Sequence, residues 1–183
     1  MIDYGDAILT VLDSTGGKLV GRTAIQKLLY FASQKGFLKD TYLPHYYGPY
    51  SLETSDSLLE LCSLDFVDEE LERSTTPGRD WRRYSYILTK RGEEYLNFIG
   101  EGLGTESTKL AKLVQKASEL TKLEVEPLSC AAKVHYLVKT SPHVSEDSIR
   151  KLAGDFGWNL SKEQINRAIA LLAELKLVEV VQE

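Results

Sequence analysis

The sequence predicts a mainly α-helical protein with small β-hairpin wings, built as one winged-helix unit followed by a second helical, winged-helix-like unit. Three observations predict this fold class. Apolar residues recur at helical spacing through most of the chain. Two β-prone runs flank a polar, turn-rich stretch between residues 66 and 88. The resulting order of three helices, a strand, a hairpin and a returning strand is that of a winged helix-turn-helix.

The first three helices are expected before residue 64. Asp3 to Leu12 and Thr23 to Gln34 carry apolar side chains at helical spacing, and Lys18–Val20 is a short extended link between them. Ser51 is a good N-cap for a third helix that ends near Ser63. The buried side of that helix is expected to contain Leu52, Leu58, Leu59 and Cys62.

The segment from Thr41 to Tyr50 has a different composition. Pro44, Gly48 and Pro49 exclude a helix there. Because aromatic residues surround them, the sequence predicts an extended, packed segment that leads into a turn.

The wing follows the third helix. Residues 65–71 and 84–88 are expected to form its two strands, with Pro77-Gly78 in the polar stretch between them. Thr89 is expected to cap the next helix, which ends in a glycine cluster at residues 100–104. This cluster is the best domain boundary and divides the chain into residues 1–103 and 104–183.

The second unit is expected to contain four helices and a strand. Residues 105–126 form an amphipathic helix, and Pro127 fits the first turn of the next helix, which runs to about Lys139. Ser145 and Ser161 are good N-caps for the last two helices. The run 177–181 is rich in β-prone residues and is expected to be a strand.

Composition bounds the class of protein. The 183 residues carry 22 basic and 27 acidic side chains, a net charge of −5. No apolar run approaches the ~20 residues that span a bilayer, and the first residues lack the basic region of a signal peptide. We therefore expect a cytoplasmic protein without a membrane anchor, in which Cys62 and Cys130 are reduced.

Two segments together resemble a known family. Gly21-Arg-Thr-Ala-Ile-Gln-Lys-Leu-Leu-Tyr30 followed by Tyr47-Gly-Pro-Tyr-Ser51 resembles the YwgA-like family of uncharacterised proteins. The same segments more distantly resemble the Panacea-type proteins, which include SocA-like antitoxins and proteolytic adaptors. The Panacea resemblance implies a protein-binding, toxin-neutralising role. The shared motif consists of Lys27, Tyr30, Tyr47, Gly48, Pro49 and Tyr50, for which a structural role in packing and turn geometry is expected.

The presumed wing is the best basic patch. It carries four arginines around Trp81, namely Arg73, Arg79, Arg82 and Arg83. Arginines on an exposed hairpin can contact phosphates, and an aromatic ring beside them can pack on a sugar or base. In the alternative interpretation, these arginines pair with the carboxylates of the neighbouring strand, namely Asp68, Glu69, Glu70 and Glu72.

The presumed recognition helix argues against direct reading of DNA. Its segment carries four acidic residues and no basic one, namely Glu53, Asp56, Glu60 and Asp65. Such a helix would bring negative charge toward the phosphates of the groove. The last helix carries side chains better suited to hydrogen-bond with base edges, namely Lys162, Gln164, Asn166 and Arg167. An ordinary exposed helix face explains the same residues equally well.

Catalytic chemistry finds little support. His45, His135 and His143 show no metal-ligand spacing, so no metal or cofactor is expected. The cluster of His45 with Tyr46, Tyr47 and Tyr50 is better explained by aromatic packing around a proline turn than by a pocket, and Lys27 is expected at the surface or paired with a carboxylate.

These observations lead to two functional hypotheses. The leading one is a non-enzymatic regulatory protein that binds double-stranded DNA through the wing, from Arg73 to Arg83. The alternative is a protein-interaction module of the antitoxin or adaptor kind that uses the acidic helix and the segment Tyr42–Tyr50. Either could act as a homodimer.

Overall fold

A computed structural model describes residues 1–73, 82–139 and 145–179. The described part is mainly helical, with small antiparallel strand pairs, as the sequence predicts. The elements in chain order are α1 (Tyr4–Ser14), β1 (Lys18–Val20), α2 (Arg22–Gln34), β2 (Leu43–His45), β3 (Gly48–Tyr50), α3 (Leu52–Ser63), β4 (Val67–Arg73), β5 (Arg82–Leu88), α4 (Lys90–Ile99), a short 3-10 helix (Gly100–Leu103), α5 (Gly104–Thr121), α6 (Val125–Val138), α7 (Glu146–Asp155) and α8 (Lys162–Glu174).

Strands β4 and β5 form the antiparallel pair that the sequence predicts for the wing. Their register runs from Val67 opposite Leu88 to Arg73 opposite Arg82. The predicted tip at Pro77-Gly78 lies outside the described residues. Strand β1 pairs with the other edge of β5, so the segment expected to be a simple link is the third strand of this sheet.

A second, smaller hairpin precedes α3. Strands β2 and β3 are antiparallel, with Pro44 opposite Pro49 and His45 opposite Gly48. The predicted extended segment and turn are therefore two halves of one hairpin, which we call the proline hairpin (residues 43–50). Its two prolines lack backbone N–H donors and face each other in a two-stranded ribbon, a position that sheets tolerate.

The C-terminal half differs from the sequence-based expectation at two places. Helix α5 ends at Thr121 instead of 126, because Lys122 and Leu123 adopt positive φ angles of 53° and 58°. Residues 177–179 are not in a strand, so the prediction of a strand at 177–181 was wrong for these three residues. Val180 and Val181 lie outside the described residues.

One hydrophobic core includes side chains from both predicted units. Helix α5 packs on α1, and α6 packs on α2. Ile8 of α1, Leu28 of α2, Leu110 of α5 and Val134 of α6 all belong to this core. The boundary between residues 103 and 104 stays a prediction, and the two sides of it bury apolar surface together.

Candidate functional site

The described part of the wing places two of its arginines side by side at the end of the ribbon. Arg73 lies opposite Arg82 in the strand register, and both are exposed. Among the described residues, no carboxylate lies within ion-pair distance of either guanidinium. The two other predicted wing residues, Arg79 and Trp81, lie outside the described residues.

The third described wing arginine is engaged by an acidic neighbour. Arg83 Nε donates to Glu72 Oε2 at 2.7 Å. This hydrogen bond, followed by one from Ser85, holds the pKa of the Glu72 carboxyl below its usual range. The alternative interpretation of the wing as a self-paired hairpin therefore applies to Arg83.

Two other acidic residues of β4, Glu69 and Glu70, pair with basic residues of neighbouring elements. Lys18 of β1 lies 3.6 Å from Glu70 and 3.5 Å from Glu72. Arg22 of α2 lies 3.2 Å from Glu69. These exposed ion pairs tie β4 to β1 and α2, but solvent screens them and they add little to stability.

Helix α3 exposes both acidic and apolar side chains. Leu58 and Leu61 are buried, but Leu52 is 64% exposed and Leu59 is 51% exposed. The expectation that Leu52 and Leu59 are buried was wrong, and Cys62 is only half-buried. The inner face is instead completed by Thr54 and Ser55.

The exposed leucines share their face with three carboxylates. Leu52 and Leu59 are seven positions apart, so they lie on the same side of the helix, about 10 Å apart along its axis. Glu53, Asp56 and Glu60 are exposed beside them. We call this set of five residues the α3 face.

Three of the four α8 residues expected at base edges contact other side chains of the protein, and Gln164 reaches Glu126 of α6 at 2.7 Å. Lys162 pairs with Glu146 of α7 at 3.2 Å. Gln164 closes a capping box with Ser161, and Arg167 forms an ion pair with Glu163 on the same helix. Asn166 is exposed. The structure thus brings these four residues together on a helix surface without forming a basic patch.

The motif residue Lys27 is buried within the molecule. Its side chain is 1% exposed, and its Nζ donates to the carbonyl oxygen of Pro49 at 2.6 Å. The expectation of a surface position or a carboxylate partner was wrong. Helix α2 is buried on every side from Ala24 to Ala32, so a lysine in its middle is enclosed.

Two lysines meet at the proline hairpin, and no carboxylate of the described residues forms an ion pair with either. Burial and then the nearby charge of Lys133 lower the pKa of Lys27 to about 7. Burial also lowers the pKa of Lys133. Lys133 Nζ lies 6.0 Å from the centre of the Tyr46 ring and 5.8 Å from that of Trp158, within reach of cation–π attraction.

Gly48 is the residue that lets both lysines approach the hairpin. Its φ angle is +96°, a backbone conformation that residues with a side chain rarely adopt. A Cβ atom there would lie 3.1 Å from Lys133 Cγ and 3.5 Å from the Ser129 carbonyl oxygen. The positive φ angle therefore favours glycine, and a Cβ atom there would also press against the Lys133 side chain. The structural role of this motif residue stays a prediction.

Helix α2 also fixes the exit of the hairpin. The Gln26 amide donates to the Ser51 carbonyl oxygen at 2.8 Å and accepts from the Ser51 backbone N–H at 2.9 Å. The hydroxyl groups of Tyr50 and Ser55 share a hydrogen bond at 2.6 Å. These contacts set where α3 begins, and hence the direction in which its face points.

The second half of the chain holds the other side of the hairpin. Ser129 Oγ of α6 donates to the Tyr47 carbonyl oxygen at 2.7 Å. Trp158 Nε1 donates to the His45 carbonyl oxygen at 2.8 Å. Sequence reasoning missed the roles of Gln26, Ser129, Lys133 and Trp158. Among them, only Gln26 gave a local signal, because it is a polar residue beside the motif lysine on a largely apolar helix.

The remaining motif tyrosine is also a core residue. Tyr30 is buried, and its hydroxyl shares a hydrogen bond with His135 Nδ1 of α6 at 2.8 Å. Burial, followed by the charge of Lys139, lowers the pKa of His135 to about 4, so this imidazole is neutral at pH 7.

The described residues contain no group of three or more histidine, cysteine, aspartate or glutamate side chains that could hold a metal ion.

The aromatic residues around His45 form packing contacts. The His45 and Tyr50 ring centres lie 5.2 Å apart, and Tyr46 and Tyr47 meet edge to face at 4.9 Å. Tyr46 and Tyr47 are both exposed at the turn.

None of the helices in the described ranges has the length and apolar character needed to cross a membrane.

Part of the chain is similar to a curated protein, although no family model matches the chain. Over 85 residues the chain is 35% identical to a protein of Bacillus subtilis (strain 168) named "Uncharacterized protein YwgA". The match covers 46% of this chain and 49% of that relative, so the chain spans about half the length of the curated relative that it resembles. The resemblance inferred from the Lys27–Tyr30 and Tyr47–Tyr50 motifs is thereby supported as similarity to YwgA.

Proposed function

We propose that this chain is a non-enzymatic protein-interaction module that binds its partner through the α3 face. The observation that carries the proposal is the exposure of Leu52 and Leu59 beside three carboxylates. Exposed leucines one heptad apart are the anchors that helix-in-groove and helix–helix recognition use. Burying both in an interface would supply a few kcal/mol of binding free energy, about 1.5–3 for each side chain.

The charge of the α3 face selects the chemistry of the partner. Glu53, Asp56 and Glu60 are all exposed, and α3 itself carries no basic side chain. We therefore propose a partner that presents a basic amphipathic helix, with two apolar residues one heptad apart and lysine or arginine beside them. Complementary charge at the rim would speed association and exclude other partners.

The fold supports this choice of surface. The order α1-β1-α2-α3-β4-β5, with β1, β5 and β4 in one sheet, supports the winged-helix interpretation. In that interpretation α3 takes the place of the recognition helix, the element that winged-helix proteins present to their ligand. The Panacea resemblance, with its antitoxins and adaptors, supports a protein partner in preference to DNA.

A site-specific crosslinking experiment tests the proposal. A photoreactive benzoylphenylalanine at position 56 should capture a specific protein in cells of the native host. The same group at position 94, on the exposed surface of α4, should not capture it. The position-56 product should disappear when Leu52 and Leu59 are both changed to Ser. Equal capture from both positions, or capture that survives the double change, would contradict the proposal.

A second candidate function rests on Arg73 and Arg82. These side chains lie opposite each other, exposed, at the described end of the wing. Two such guanidinium groups can contact adjacent phosphates of double-stranded DNA and give affinity with little sequence preference. Binding of random duplex DNA at low salt, lost as the salt concentration rises, would support this candidate. Absence of binding at about 20 mM salt would exclude it.

A further inference from the structure

A cleft lies on the second half of the chain, away from the α3 face. It is bounded by the end of α5, the start of α6 and the outer side of α8, and its volume is about 340 Å³. Its floor is apolar and is formed by Leu120, Pro127, Cys130, Ala168 and Leu171. None of these residues takes part in the proline hairpin or the wing.

The size of the cleft fits a small organic molecule. Ligand sites in proteins typically occupy about 300–1,000 Å³, and an apolar cavity of about 150 Å³ is enough to hold benzene. A molecule of one or two rings, or an alkyl chain of similar bulk, would therefore fill this cleft. Its apolar body would displace water from the surfaces of Leu120 and Leu171.

The charged groups at the mouth of the cleft differ in whether an opposite charge pairs with them. Glu174 pairs with Lys116 at 3.0 Å, and Arg167 pairs with Glu163. Glu126 accepts hydrogen bonds from Gln164 Nε2 at 2.7 Å and from the Cys130 thiol at 3.5 Å. Within the described ranges no lysine, arginine or histidine forms an ion pair with Glu126.

The charge of this carboxylate defines the charge of the ligand. Gln164 and Cys130 orient one oxygen of Glu126 at the mouth of an apolar cleft, and neither neutralises its charge. We propose that the cleft binds a small amphiphilic amine, with its apolar body on the Leu120–Leu171 floor and its ammonium group on the Glu126 carboxylate. The site is independent of the α3 face, because it uses other elements and no residue in common.

Three matched probes test the proposal at pH 7: 2-phenylethylamine, 2-phenylethanol and 3-phenylpropionate. They share an aromatic body and carry a positive, neutral or negative end. Backbone amide shifts in a nuclear magnetic resonance titration should change at Cys130, Ala168 and Leu171. The amine should bind on the order of threefold more tightly than the alcohol, as expected of one partly exposed charge pair, and the acid should bind weakest.

Two variants locate the site and its charge. Glu126→Gln should leave the alcohol affinity unchanged and remove the preference for the amine. Ala170→Phe, an exposed change at the cleft, should weaken the binding of both the amine and the alcohol. Glu119→Gln removes an exposed carboxylate of α5 outside the cleft and should change nothing.

The thermal unfolding midpoint of each variant confirms that it folds. Absence of shifts in these residues, equal affinity of the wild type for amine and alcohol, or a preference that survives Glu126→Gln would overturn the proposal.

Discussion

The Nζ atom of Lys27 lies 2.6 Å from the carbonyl oxygen of Pro49, and burial lowers the pKa of this amine to about 7. The lysine is thus a buried hydrogen-bond donor that links α2 to the proline hairpin. Charging it inside the protein costs free energy, because no carboxylate in the described part of the chain compensates the charge.

This burial predicts a pH dependence of stability. The pKa of Lys27 is about 7 in the folded protein, and that of an unfolded lysine is about 10.4. Between these values the unfolded chain binds more protons, so the free energy of unfolding should rise with pH by up to about 1.4 kcal/mol per unit. Below pH 7 both states are protonated and the contribution of Lys27 is constant.

The measurement is urea unfolding of wild type and Lys27→Met between about pH 7 and 9, below the pKa of about 10 of unfolded tyrosines. Burial raises the folded pKa of Cys62 and Cys130, and these thiols act alike in both proteins. The lowered pKa of Lys133 contributes in the same direction to both proteins, so the difference in slope reports Lys27. A slope in the variant equal to that of the wild type would show that Lys27 keeps an ordinary pKa.

A second prediction concerns Gly48. Gly48→Val should lower stability by on the order of 1–3 kcal/mol, because it combines backbone strain with a clash against Lys133 and the Ser129 carbonyl group. The smaller change Gly48→Ala has a matched control in Gly16→Ala. Gly16 also has a positive φ angle, +78°, but a Cβ atom there would have no neighbour within 4 Å. Gly48→Ala should therefore cost more than Gly16→Ala in chemical denaturation, and equal costs would remove the packing part of the explanation.

A third prediction addresses the link between the two halves of the chain. Trp158→Phe keeps an aromatic ring beside Phe156, whose centre lies 5.0 Å away, but removes the donor to the His45 carbonyl oxygen. Stability should fall by about 1 kcal/mol, the net value of one hydrogen bond. Amide hydrogen exchange should accelerate within residues 43–50. Unchanged exchange there would mean that Trp158 does not hold the hairpin.

The local part of the fold could be predicted from the sequence because its signals are local. Ser51, Thr89, Ser145 and Ser161 cap their helices with side-chain oxygens, as expected. The wing strands follow from their β-prone composition. Each of these signals acts within about four residues, so the sequence alone carries it.

The contacts that hold the proline hairpin could not be predicted because they are long-range. Trp158 and His45 are 113 positions apart, and nothing local to either residue indicates the contact. The burial of α3 was misjudged because apolar residues occur on both of its faces. Periodicity then favours Leu52 and Leu59 as strongly as Leu58 and Leu61, and only tertiary packing distinguishes them.

A fourth prediction tests the wing. Removing one phosphate contact lowers the slope of log affinity against log salt by about 0.9. Arg73→Ala with Arg82→Ala should therefore flatten the slope by about two units, and Arg83→Ala by less than about one, because Arg83 already pairs with Glu72. Converting Arg79, Arg82 and Arg83 together to Ala should flatten it by about three units at most. Fluorescence anisotropy on a random duplex measures the slopes, and equal slopes for all the proteins would exclude the wing from DNA binding.

The affinity for the partner captured at position 56 decides whether the α3 face is the binding surface. Calorimetry with the purified partner should show at least about tenfold weaker binding for Leu52→Ser with Leu59→Ser, since both leucines would be buried in the proposed interface. Phe98→Ser, a change at an 89% exposed residue of α4, should bind like the wild type. An unchanged Kd for the double variant, or an equal loss for Phe98→Ser, would contradict binding through the α3 face.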